Sequence, residues 1–403
     1  MLRAMFTAIT SLGLHKSYMD VIADNLANVN TPGYKSSMVT FQDQFAQLMA
    51  AGSGPTAELG GLNPTQIGLG VQMGSVRRNF TQGTLTDTGR SLDLAIQGDG
   101  FFIYEENGTR YYSREGSLEI DSNGVLVNSS TGQRMMGWSP DASGVINTGL
   151  AIGPVTIPMD DSLARATTTG TFGGNLDSTT AIGDTYAITM GAFDSLGELQ
   201  NVNLEFTKAA DNQWDWTVTS GGTGTGQLNF NPDGSFNNMT GDTQITIVGS
   251  GGASNTVFDV VYSGLSQLAT NGTAGLISQN GLAAGTLSGF DVVSNTGEIY
   301  GLYSNGLQQL IGQMALATFV NPTGLVRMGH NTYIAGLNSG EALTAAPQSG
   351  GRGIISSGYL EASNVDLAKE FTNMILAQRG FEASSRVITT ADEMLQQLVN
   401  LKR

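Results

Sequence analysis

No cysteine occurs anywhere in the 403 residues. Disulfide scaffolds, Cys-ligated zinc, iron–sulfur clusters and thiol nucleophiles are excluded with it. Histidine is nearly as scarce: His15 and His330 stand alone, so polyhistidine metal sites are excluded too. Charged residues make up 13% of the chain, against about 25% in ordinary soluble proteins. No run approaches the ~18 uninterrupted apolar residues of a helical membrane span, and no membrane insertion is expected. What fills the chain is glycine, 55 residues, roughly twice ordinary usage, in a turn-rich setting padded with Ser, Thr and Asn. The length suits two or three domains.

The formal charge of −16 is confined to the middle of the sequence. Residues 1–90 carry six bases against five acids and residues 358–403 five against six, which leaves seven bases and twenty-three acids in 91–357. Like charge repels polyanions, so nucleic acid is not an expected partner. Near-neutral ends suit close packing against other copies, and an acidic middle suits a solvated outer surface.

Both termini read as helices. Leu2, Met5, Ile9, Leu12, Met19, Ala23 and Leu26 follow alternating steps of three and four, with Lys16 as the polar position in the seam. This is a heptad stripe on one continuous helix, and it runs past the region that a cleavable leader would occupy. Asn30-Thr31-Pro32-Gly33 ends it. At the other end, Ser363 and Asp366 resemble a capping box, and Leu367, Phe371, Met374, Phe381, Ile388, Leu395 and Leu398 then lie on a helical stripe, with Gln378 and Ser385 between them. Such a helix runs for roughly 35 residues, or about 50 Å. Narrow seams at both ends suit a coiled-coil bundle in which the termini pair with each other and with neighbouring chains.

Between the helices the pattern changes to short β segments closed by turn dipeptides. Phe101–Tyr104 ends at Asn107-Gly108, Ser117–Ile120 ends at Asn123-Gly124, and Val125–Val127 follows. Further on come Thr185–Met190, Val202–Phe206, Trp214–Val218, Leu228–Phe230, Thr246–Val248 and Val257–Val261. Antiparallel hairpins are expected, and the absence of strand–helix alternation disfavours a doubly wound nucleotide-binding fold. Thr167–Thr171 and Gly221–Gly226 read as boundaries or exposed loops, and Ser339–Gly353 as a connector into the last helix. The fold class is therefore mainly β, with two antiparallel β domains between long terminal helices.

Chemical look-alikes carry little weight. Gly68, Gly70 and Gly74 sit one residue off a dinucleotide fingerprint, and no helical pattern follows them. Asp121-Ser122-Asn123-Gly124 imitates the start of a calcium loop but lacks the later acidic ligands, so a hairpin turn explains it better. There is no G-x-S-x-G elbow, and His15 reads as a solvated residue of the first helix. No cofactor, metal or catalytic residue is expected.

The block Met19-Asp20-Val21-Ile22-Ala23-Asp24-Asn25-Leu26-Ala27-Asn28-Val29-Asn30-Thr31-Pro32-Gly33-Tyr34-Lys35 resembles the N-terminal signature of the bacterial flagellar rod, hook and hook-associated axial proteins. Gly358–Leu367, with Ser363, Asn364 and Asp366, and Met374–Glu382 resemble the C-terminal signature of the same group. Gly83–Phe102 and Leu310–Ala317 with Phe319 agree as well, so the resemblance covers about half the chain. The long central insert favours the hook branch over the shorter distal rod proteins. Ala51–Gln66 is a departure, an extra Gly/Pro segment similar to one in distal rod proteins. A distal rod or other axial protein is the alternative reading, and an unrelated extracellular β protein or enzyme the third.

The resemblance implies a homopolymer that forms a flexible hollow tube. It further implies export without a cleaved leader, an extracellular location at the flagellar basal body and hook, and contacts with the distal rod protein, hook cap, hook–filament junction protein and export apparatus. It implies three tiers: residues 1–75 with 358–403 as inner helices and linker, 76–165 with 285–357 as a middle β domain, and 166–284 as an outer β domain. Asn25, Asn28 and Asn30 read by themselves as helix-end caps; the resemblance instead gives their block, with Pro32 and Gly33, an assembly or joint role, and makes the two apolar stripes seams of the inner tube.

Overall fold

The computed structural model describes residues 2–56, 59–141 and 144–401. The protein is mainly β, with a helix at each end, α1 (Leu2–Ala27) and α2 (Leu367–Leu401). The chain forms two compact units. One comprises Met1–Ile157, Asp291–Tyr300 and Leu310–Arg403, and the other Pro158–Phe290 and Gly301–Gln309.

In the first unit, strand Phe101–Glu106 pairs with Thr109–Ser113, Arg134–Trp138 and Leu316–Thr318. Its first four residues are all buried, as a continuous apolar run requires when both faces are covered. Phe101, Ile103, Tyr112, Trp138, Phe319 and Tyr333 share its core. The turn expected at Asn107-Gly108 is present, with φ of 50° and 78°, the left-handed pair of a tight two-residue hairpin. The C-terminal segment returns to this unit before α2 begins: Ile354–Ser357 pairs with Leu94–Gln97, and Tyr359–Glu361 pairs with Leu85–Asp87. Ser37–Asp43 and Val71–Arg78 form a two-stranded ribbon after α1. Ala46–Ala50 pairs with Thr65–Gly68, and of the described residues of the extra Gly/Pro segment between them Ser53 is bridged to Leu62.

The second unit packs two sheets on one core. A five-stranded antiparallel meander runs from Thr185–Phe193 through Leu199–Ala210, Gln213–Ser220 and Thr225–Phe230 to Phe236–Gly241. A four-stranded sheet has the order Gln244–Ile247, Thr256–Leu268, Thr169–Asp177, Gly275–Gln279. Trp214, Trp216, Phe206, Phe172 and Phe258 fill the space between them.

One loop expectation is corrected here. Thr167–Thr171 runs into the strand Thr169–Asp177, which is hydrogen-bonded on both edges. Its glycines and threonines masked the buried Phe172 and Leu176. Gly221–Gly226 is mostly the expected loop, joining the strand Gln213–Ser220 to Thr225–Phe230, whose first two residues it includes. The hairpin expectation also meets an exception, because Thr169–Asp177 pairs parallel with Thr256–Leu268. A parallel neighbour needs a long crossover, and here the whole five-stranded meander supplies it.

The Asp121 loop is a hairpin turn. Asp121 Oδ1 accepts hydrogen bonds from Asn123 N at 2.9 Å and Val125 N at 2.8 Å. Asp194 repeats the arrangement with Leu196 N and Glu198 N, both at 2.9 Å. Each carboxylate is spent on closing its own loop.

Candidate functional site: a helical seam and its joint

α1 and α2 pair antiparallel. Ser11 Oγ lies 2.9 Å from Ser384 Oγ, and one turn further along α1 the His15 ring lies against Gly380. The facing positions on α1 are Ala8, Ser11, His15, Tyr18 and Ile22, again in steps of three and four. On α2 they include Ala377, Gly380, Ser384 and Ala391, with Ala8, Ala377 and Ala391 buried. Small side chains let two helices approach closely. A Cβ on Gly380 would fall 2.5 Å from His15 Cε1. His15 is thus half-buried, with its ring edge-on to Phe41 at 6.2 Å, rather than solvated as the sequence suggested.

The apolar stripes read from the sequence interleave with these positions: Met5, Leu12, Met19 and Leu26 alternate with Ala8, His15 and Ile22 in steps of three and four, and Met374, Phe381, Ile388 and Leu395 with Ala377, Ser384 and Ala391. Leu2 and Ile9 are 62% and 49% exposed, and Met5, Leu12, Met19 and Leu26 are half-buried. On α2, Leu367 and Phe371 are 44% and 50% exposed, while Met374, Phe381, Ile388 and Leu395 are half-buried. The Leu398 side chain lies outside the described residues. Phe6, Ile375, Leu376 and Val399 add to the exposed apolar surface of the two helices. The helix pair therefore combines small residues at its closest approach with half-buried large ones beside them, while Leu2, Phe6, Ile9, Leu367 and Phe371 stay exposed.

The capping box is corrected. α2 starts at Leu367, and Asp366 is its cap, accepting from Ala368 N at 2.9 Å and Lys369 N at 3.2 Å. Ser363, three residues too early, accepts only from Val365 N at 3.3 Å within the preceding turn. An ionised cap also suits the positive end of the helix dipole better than a hydroxyl does.

Residues from the two terminal blocks converge where the helices meet the β structure. The Asn25 amide mimics a backbone group: its Nδ2 donates to Ser37 O and its Oδ1 accepts from Ser37 N, both at 2.8 Å. Asn28 Nδ2 donates to Asp24 O at 2.8 Å and so closes the end of α1. Asn30 is exposed. The Pro32 carbonyl accepts from Asn331 Nδ2 at 2.8 Å, and Gly33 N donates to Glu361 O at 2.7 Å. Gly33 has φ of 69°, and a Cβ there would meet Glu115 N at 2.7 Å, so glycine alone fits. From the other end of the chain, Asn364 Oδ1 accepts from Ser36 N and its Nδ2 donates to Asn79 O, each at 2.8 Å.

Charges that sequence reasoning did not single out lock this joint. Lys35 Nζ and Glu361 Oε1 are 2.6 Å apart, and Arg114 Nη1 lies 3.5 Å from Glu361 Oε2. Glu361 also accepts from Gly83 N at 2.8 Å. Burial pushes the Lys35 ammonium below its ordinary pKa, and the Glu361 carboxylate opposes that shift. Tyr34 donates to Asp24 Oδ2 at 3.1 Å, and Asp24 in turn pairs with Arg327 at 3.0 Å. Burial raises the Tyr34 hydroxyl's pKa, helped by Asp24. The one available signal was that Lys35 and Glu361, of opposite charge, sit in the two terminal blocks. These groups are consumed in mutual pairing, so the arrangement holds a joint rather than activating a nucleophile or base.

Comparison with known proteins decides the family. Four stretches match family models: "Flagella basal body rod protein" over residues 7–35, "Flagellar hook protein FlgE/F/G D1 domain" over 95–172, "Flagellar basal body protein FlaE D2 domain" over 162–282, and "Flagellar basal body rod FlgEFG protein C-terminal" over 356–401. The flagellar hook protein FlgE of Borreliella burgdorferi is 35% identical, with both chains covered completely. The chain belongs to the flagellar hook protein family. The hook protein of Treponema pallidum is 33% identical over the full length of both chains. That of Salmonella typhimurium is 35% identical over 98% of this chain and 99% of its own. A crystal structure of Helicobacter pylori flagellar hook protein FlgE2 covers 69% of this chain and 100% of that one, with a TM-score of 0.46 and 13% identity. Hook-family proteins are structural subunits of the flagellar axis and not enzymes.

Proposed function

We propose that copies of this chain polymerise through the outward apolar stripes of α1 and α2 into the wall of a hollow, flexible tube. That tube is the hook, which carries torque from rod to filament as a universal joint. One observation carries the reading: the helix pair leaves Leu2, Ile9, Phe371 and Val399 exposed. A stripe of that size is normally covered by a partner, and a second copy supplies the same stripe at every position.

In this reading the joint fixes the inner helices to the β structure, so a load applied to the polymer passes through the Lys35, Arg114 and Glu361 cluster. The three tiers, 1–75 with 358–403, 76–165 with 285–357, and 166–284, would sit at increasing radius. Polar outer surfaces exchange weak contacts as the tube bends, while apolar inner seams keep register. The subunit is exported without cleavage of its N-terminus and assembles outside the cell. It meets the distal rod protein below, the cap during growth, and the hook–filament junction protein above.

The test is a pair of substitutions on α2. Leu395→Asp puts a carboxylate among apolar side chains in every copy, at a cost of several kcal/mol per site or a compensating rise in its pKa. Gln397→Asp alters an exposed position off the stripe. Sedimentable polymer should vanish for the first and persist for the second, with monomer melting unchanged in both. Normal polymer from Leu395→Asp, or equal loss from both, contradicts the assigned seam.

A further inference from the structure

α2 has 35 residues and α1 has 26. With Ser11 opposite Ser384 and His15 opposite Gly380, Leu2 lies level with about residue 393. Residues 394–401 therefore project beyond α1 by about 12 Å at 1.5 Å per residue. This tip carries Met394 and Val399, 54% and 71% exposed, and at its base the exposed acids Asp392 and Glu393.

The opposite end of the helix pair holds a groove of about 560 Å³. Its floor is Ile22 and Val39, both buried, and its walls include Tyr18, Met38, Arg77 and Lys369. The charged groups lining it are Arg77 and Arg78 from the ribbon and Lys369 and Glu370 from α2, three bases against one acid. Arg78 is occupied over the Tyr333 ring at 5.2 Å, and Glu370 is buried beside Tyr18. Arg77 and Lys369 remain as exposed cations at the rim.

We propose that the α2 tip of one copy seats in the root groove of the next, with Met394 and Val399 over the apolar floor and Asp392 and Glu393 against Arg77 and Lys369. This rests on the self-assembly reading above and names the surface that sets its axial contact. Tip and groove are separated by roughly 20 residues of α2, or about 30 Å along its axis. A head-to-tail contact between two different surfaces of identical copies closes into a ring unless it also advances along the axis, and a displacement of that size generates an open, axially growing filament. Charge complementarity fixes the register, and the apolar tip supplies the burial.

Charge exchange tests it. One variant carries Asp392→Lys with Glu393→Lys, the other Arg77→Glu with Lys369→Glu, assayed at the lowest salt at which the wild type polymerises. Each alone should raise the critical concentration about tenfold or more, since like charges now face across the contact. An equimolar mixture should restore polymer, because each tip then finds a groove of opposite sign on the other variant. Unchanged polymer from either variant overturns the proposal, as does a mixture no better than its components. A wild-type chain that stays monomeric at every salt concentration instead overturns the self-assembly reading itself.

Discussion

Lys35 Nζ lies 2.6 Å from Glu361 Oε1, and neither side chain is exposed to solvent. The pair joins the segment that follows α1 to the strand that precedes α2, so the two helices are anchored through one contact between distant parts of the chain. Removing one charge from a buried pair costs about 3–5 kcal/mol, because its partner is left uncompensated. Glu361→Gln strands both Lys35 and Arg114, and should lower the melting temperature of the first unit sharply. Lys35→Met combined with Glu361→Met should be milder than Glu361→Gln alone. The exposed pair Arg379–Glu382, at 3.1 Å, should contribute about 0–1 kcal/mol. Calorimetry of these two variants beside Glu382→Gln decides, and a double variant no milder than Glu361→Gln contradicts the coupling.

The two faces of the helix pair separate by mutation. Gly380→Leu forces a side chain into the His15 ring and should drive the helices apart, with overpacking costs of about 1–3 kcal/mol. Monomer helicity and polymer should both fall. Phe371→Ala removes a half-exposed side chain, so the monomer should melt within about 0.5 kcal/mol of wild type while polymer yield drops. Circular dichroism beside sedimentation reads both effects.

Much of this was legible in the sequence. The final helix was expected to run for roughly 35 residues and has 35. The Asn107-Gly108 hairpin also formed where its dipeptide stood. The small residues at which the two helices approach most closely were not legible, because hydrophobic periodicity reports only large apolar side chains. Ala8, Ala377 and Gly380 pack by being small and give no such signal. The Lys35–Glu361 pair spans 326 positions, and no local pattern links them. Asp366 displaced Ser363 as the cap because helix geometry, and not the motif spacing, fixed where the first turn begins.

Acid should act on the second unit through Asp194. Burial alone would raise its pKa, but hydrogen bonds from Glu198 N, Gln200 Nε2 and Leu196 N outweigh it and hold the carboxyl below its ordinary value. A depressed folded-state pKa contributes stability that is complete above the unfolded value, about 3.9, and is lost as pH falls through the folded value. Denaturation followed by Trp214 and Trp216 fluorescence should show this loss below about pH 4. Asp194→Asn should be less stable at neutral pH and should lack that part of the acid dependence. An unchanged acid profile contradicts the assignment.

The outer insert should govern shape rather than assembly. Leu163 pairs with Gly285, so deleting residues 166–284 brings together strand ends that are already neighbours. The shortened chain should still polymerise, into straight tubes without a preferred curvature. Electron micrographs showing no polymer would mean that the insert sets subunit register.

Electron microscopy of the purified full-length chain after salt-induced polymerisation addresses the central claim most directly. The account predicts hollow tubes of uniform diameter that bend smoothly, grown from this one protein alone. A chain that remains monomeric, or that forms only amorphous aggregate across the salt range, contradicts it.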